Sequence, residues 1–109
     1  MASRRFGATI VSPGTDAIIM SGQAGYDSTV VVNIANQGTA ATNVFVAYMD
    51  STDLNDLSTE DYLVYNKQLG PGNSLEFKGI AVEAGHSIVV RTDTHPVSAI
   101  AYGFENVQL

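Results

Sequence analysis

The chain has no cysteine and no tryptophan, and five basic residues stand against eleven acidic ones in its 109 residues. Without cysteine there is no disulfide framework and no thiolate metal site, and the redox compartment is left open. A net charge of −6 opposes the counterion release that drives phosphate binding, which argues against a nucleic-acid binder. Long apolar runs are missing too. No run approaches the ~18 residues of a membrane span, and "ATIV" is shorter than the ~7-residue apolar core of a secretory signal. The expectation is a protein made in a cytosol and kept there, or released from it by lysis. Charged residues reach only 15%, against roughly 25% in an average soluble domain. Ser, Thr, Asn, Gln and Gly fill the deficit, a surface suited to strand-rich assembly proteins.

Helical periodicity is equally scarce, and period-two alternation with β-branched residues runs from end to end. Strands are expected over residues 17–22, 26–36, 43–50, 62–69, 73–79, 80–82, 86–92 and 97–105. Alternation puts Val30, Val32 and Ile34 on one face and Val31, Asn33 and Ala35 on the other. It likewise sets Val44, Val46 and Tyr48 against Phe45, Ala47 and Met49, groups Tyr62 with Val64, and turns Leu75 and Phe77 inward. Short strands punctuated by turns predict an all-β fold, a two-sheet antiparallel jelly-roll-like sandwich. An immunoglobulin-like sandwich is the rival, although its Cys-Trp-Cys markers are absent. Residues 1–15 contain Gly7, Pro13 and Gly14 without a clear strand, and are read as an extended N-terminal arm before a sandwich domain over residues 16–109.

Several residues invite chemistry. In "LGPGNSLEFKGIAVEAGHSIVV" the glycines could cradle a phosphate, but such a loop leads into a helix, usually with Lys and Ser or Thr behind it. Here strands flank the glycines, so Gly70, Pro71, Gly72 and Gly85 are read as structural turns, with Pro71 preset for the second turn position. The acidic segment Asp50, Asp53, Asp56, Glu60 and Asp61 raises calcium, yet its spacing fails the EF-hand pattern. A solvated loop capped by Ser51, Thr52 or Ser58 is the simpler reading. His86 and His95, even with Asp93, make a thin metal set. His95 precedes Pro96, where a cis peptide costs least. No G-x-S-x-G elbow and no Ser-His-acid order is present. The expectation is therefore no catalytic, cofactor or metal residue and no enzyme. The aromatics Tyr48, Tyr62, Tyr65, Tyr102, Phe77 and Phe104 could form a sugar platform, core or subunit-interface packing being their default, with Tyr26 and Tyr65 nearer the surface.

With the turns placed, residues 61–105 resemble a pattern of small structural proteins of tailed bacteriophages. The pattern is an "L-x-P-G" corner, an "AGD-x-I-x-V" turn-strand and a closing strand ending in an aromatic, Gly and an acid. It falls on Leu69, Pro71 and Gly72, on Ala84, Gly85, Ile88 and Val90, and on Tyr102, Gly103 and Glu105. His86 stands where that pattern has Asp. The resemblance implies a β-sandwich virion protein, of capsid decoration or cement type, with cyanophages among the possible sources. It implies a homotrimer bound to the major capsid protein on the capsid surface, with no cofactor, nucleic acid or membrane partner. The arm residues Arg4, Arg5, Phe6, Ile10 and Val11 are the candidate capsid contacts. The alternative is a head-fibre, neck or tail-associated module that binds host glycan, with or without calcium.

Overall fold

A computed structural model describes residues 2–107; Met1, at the start of the expected arm, and residues 108–109, at the end of the expected domain, lie outside the described residues. Eight strands form: β1 (Ala2–Val11), β2 (Ala17–Ser21), β3 (Tyr26–Ala35), β4 (Thr42–Met49), β5 (Tyr62–Leu69), β6 (Ser74–Val82), β7 (Ser87–Thr92) and β8 (Val97–Val107). They make two four-stranded antiparallel sheets, ordered β1-β8-β3-β6 and β2-β7-β4-β5. That order is a jelly roll and excludes the immunoglobulin-like arrangement. Every connection except β4–β5 crosses from one sheet to the other.

The core lies between the sheets, where the alternating valines meet. Val11, Val30, Val32, Ile34 and Val97 of the first sheet face Val44, Val46, Ile88 and Val90 of the second. Branched side chains stand well on a pleated, half-covered surface, which is why valine dominates. The expected face of β3 is thus observed, and so are the inward Leu75 and Phe77 of β6.

Three expectations are corrected. Residues 2–11 are no arm: β1 pairs with β8 from Ala2↔Glu105 to Val11↔Val97, with an irregularity between Arg5 and Gly7. Alternation was hidden because that irregularity breaks the period and Gly7 and Ala8 add little apolar signal. Residues 73–79 and 80–82 are one strand, β6, whose pairing with β3 shifts between Val30 and Val32. Tyr62 and Val64 do not share a face, because β5 slips register against β4 there, leaving Val64 against the core and Tyr62 beside Ala47. One shifted residue sends every following side chain to the other face.

The connection between β4 and β5 has its own structural role. Its two 3₁₀ turns, Leu54–Asp56 and Thr59–Asp61, lie between strands of the second sheet, and Leu57 packs with Ile18 and Tyr62 over Ala47, Met49 and Val89. This small outer core explains why β4 is buried on both faces.

Candidate functional site

The Gly-rich stretch is turn structure. Asn73 N–H donates to Gly70 O at 3.1 Å across Pro71 and Gly72, and Gly72 sits at φ 77°. His86 N–H donates to Glu83 O at 3.1 Å, and Gly85 sits at φ 81°. Both are the third position of a turn that wants left-handed backbone. Neither turn closes a hairpin, because β5 to β6 and β6 to β7 each change sheet. The four turn residues lie at two separate corners and line no phosphate cradle.

Several chemistry-bearing side chains are engaged in bonds within the fold. His86 Nδ1 lies 2.8 Å from the Tyr48 hydroxyl, which also accepts from Glu83 N–H at 3.3 Å. Its Nε2 is 3.6 Å from the Glu83 carboxylate. His95 sits at the other end of β7, roughly 20 Å away on strand geometry, and its peptide bond to Pro96 is trans. The two histidines therefore do not meet. Asp93 accepts from Asn43 N–H at 2.9 Å and from the Thr42 hydroxyl at 3.1 Å. Those bonds, the Asn43 amide first, hold its carboxyl below the usual aspartate range.

In the acidic segment Asp53 accepts from Asn55 N–H at 3.0 Å, Asp61 accepts from Ser58 N–H at 2.9 Å, and Asp56 accepts from the Ser51 hydroxyl. These carboxylates shape turns, and Asp53 itself caps the first of them. Among the described residues no three His, Asp or Glu side chains gather to hold a metal ion. No described helix is long and apolar enough to cross a membrane.

One outer face of the sandwich is largely apolar. The outer face of the first sheet carries Ala8 and Ile10 of β1, Val31 of β3, and Ile100, Tyr102 and Phe104 of β8, placed together by the register. Ile10 is 64% exposed, Phe104 47% and Tyr102 40%. Two depressions run along this face: one of about 410 Å³ floored by Ala8, Asn33 and Ile100, and one of about 500 Å³ between Arg5, Val31, Tyr102 and Phe104. A third, of about 340 Å³, continues from Ile10 to Gln37, Thr39 and His95.

Of the expected arm residues, Val11 is fully buried and Phe6 packs against the core. Arg4 is tied to Glu105 at 3.0 Å and lies over the Phe6 ring at 5.2 Å. Only Arg5 and Ile10 present themselves on the outer face. The sequence pattern alone does not join this band, since it reads Ile10 as part of an arm and Tyr102 and Phe104 as core or subunit-interface packing. A readable signal existed in β8: its inward positions are the small Ala99 and Ala101, and its outward ones the large Ile100, Tyr102 and Phe104. A strand apolar on both faces belongs to a sheet covered on both faces.

The opposite sheet carries a second feature. Phe45, Tyr62 and Tyr65 meet edge to face, with centroids 5.0 Å (Phe45–Tyr65) and 5.2 Å (Tyr62–Tyr65) apart, and the Arg91 guanidinium is 5.9 Å from the Phe45 ring. Burial, then the nearby Asp16 carboxylate, raises the Tyr62 hydroxyl above the ordinary tyrosine range. Tyr65 is 67% exposed, as expected of it. Comparison with protein-family models, with curated proteins and with solved structures yields no match.

Proposed function

We propose that this chain is a structural component of a tailed-phage particle: a decoration or cement protein that binds the outer capsid surface, contacts the major capsid protein and stabilises the shell as a homotrimer. One observation carries the reading. His86, Asp93 and several acids of the β4–β5 loop are engaged in the protein's own turns, while an apolar band on one sheet is left for contact. Exposed contiguous apolar surface of this kind marks association rather than turnover. The phage resemblance of residues 61–105 supplies the setting, and repetition over a capsid lattice turns modest single contacts into stable coverage. No cofactor enters, and the protein is made in the host cytoplasm before it joins the virion. Quantitative mass spectrometry of purified particles tests this. On the order of hundreds of copies, in proportion to the major capsid protein, is expected of a cement. About a dozen or fewer would place the chain in a neck, fibre or tail, and absence from the particle would end the reading.

A second reading rests on the exposed Tyr65 beside Arg91, Phe45 and Tyr62. An aromatic ring flanked by polar groups is a surface on which a sugar can stack. In that reading the chain is a fibre, neck or tail module for host glycan, with or without calcium. Glycan-array binding abolished by Tyr65→Ala supports it; a blank array for the wild type removes it.

A further inference from the structure

We propose that the apolar face of the β1-β8-β3-β6 sheet is covered by a second copy of this chain, which docks its acidic β4–β5 loop at the Arg5 end of the groove. The inference rests on the reading of the chain as an assembly protein and goes beyond it by naming the contact.

Size, polarity and charge each bear on the occupant. Four strands spaced about 4.8 Å apart, the longest running about 35 Å, give a face on the order of 700 Å². That is close to the ~800 Å² each partner buries in a standard interface. Its centre, formed by Ala8, Ile10, Val31, Asn33, Ile100 and Tyr102, is uncharged, as interface centres are. Charge enters at the Arg5 end and along β6, where Glu76 lies opposite Asn33. Arg5 lines the depression with Tyr102 and Phe104, and no ion pair of Arg5 is seen among the described residues. Arg4, its neighbour, is already held by Glu105. On the same outer face, Asp27 lies beyond Phe104 near the start of β3, and Glu76 is paired with Lys78 at 3.4 Å.

The complementary surface is on the other side of the same molecule. The β4–β5 loop projects Leu54, 39% exposed, among Asp50, Asp53, Asp56 and Glu60, all exposed. An exposed leucine in an acidic loop is complementary to an apolar groove that ends in an arginine. Two copies joined face to face through the same sheet would leave these acids out of the contact. A head-to-tail contact uses both surfaces of every copy, and the homotrimer of the reading above requires it to close into a ring of three.

Sedimentation equilibrium on the full chain tests the contact, with circular dichroism to confirm that each variant is folded. The wild type is expected at three times the monomer mass, and Tyr102→Asp as a monomer. Arg5→Glu and the Asp50→Lys/Glu60→Lys pair should each weaken association by roughly tenfold or more. The triple variant carrying all three substitutions in one chain should regain most of the wild-type affinity. A wild type that stays monomeric at about 100 μM, or a folded triple variant no tighter than the single ones, overturns the contact. High copy number on the particle alongside either of those results would overturn this contact while leaving the cement reading intact.

Discussion

The Asn36 side-chain amide donates to Leu69 O at 3.0 Å and to Ala40 O at 2.9 Å, while its own oxygen accepts from Gly38 N–H at 3.0 Å. One buried side chain thereby ties the corner after β3 to the corner after β5, where the backbones also exchange bonds from Asn36 N–H to Asn73 O and from Gly72 N–H to Asn36 O. Asn36→Ala removes three bonds at this corner and leaves the buried Leu69 O short of one, a loss that costs about 1–3 kcal/mol for a buried group. The expected loss is about 2–4 kcal/mol, or a fall in Tm of roughly 10 °C or more. Calorimetry checks it, and Asn36→Asp, which sets a carboxylate against the same two carbonyl oxygens, should lose at least as much.

The two glycines flanking Pro71 should behave differently. Gly72 has open space around a built Cβ but holds φ 77°, so Gly72→Ala is expected to cost about 1–2 kcal/mol from backbone strain alone. Gly70→Ala places its Cβ 3.0 Å from the movable end of Asn73, and the change should stay within about 0.5 kcal/mol. Urea denaturation of the two variants separates them, and equal losses would refute the turn assignment.

Asp93 sets a dependence on acid. Its folded-state carboxyl titrates below the unfolded one, with the Asn43 amide as the main cause. The folded state therefore binds fewer protons than the unfolded state in the interval between the two pKa values. The contribution is complete above the unfolded value, near 3.9, and is lost as pH falls through the folded one. Thermal melts of the wild type should decline more steeply below about pH 4 than those of Asp93→Asn. Parallel acid limbs would show that the carboxylate is not the titrating group.

The β4–β5 loop is held by Leu57, which joins Ile18 and Tyr62 over Met49 and Val89. Leu57→Ala removes part of that cover and should cost about 1–2 kcal/mol. It should also speed proteolytic cutting within residues 50–61, because local opening exposes the loop before the core. Limited proteolysis compared with Leu54→Ala, whose side chain is exposed, isolates the effect.

Much of this architecture follows from local sequence physics. The run Val30, Val32, Ile34 alternates without interruption and lies inward as alternation demands. Pro71 and Gly72, and Gly85, meet backbone requirements that few other residues satisfy, so both corners were legible.

Tertiary structure decided the rest. A turn's own dihedrals do not say whether the next strand stays in its sheet, so corners and hairpins look alike until the sheets assemble. Residues 2–11 became a strand because β8 offered an open edge for them to pair with, a contact across about ninety residues of chain that no local pattern carries. The candidate surface arose in the same way. Ile10, Val31 and Tyr102 are far apart in sequence, and only the antiparallel register of β1, β8 and β3 sets them on one exposed face. Residue types and turns were set by short-range sterics and hydrophobic alternation; the shared face required strand pairing over long loops, which side-chain patterns constrain only jointly.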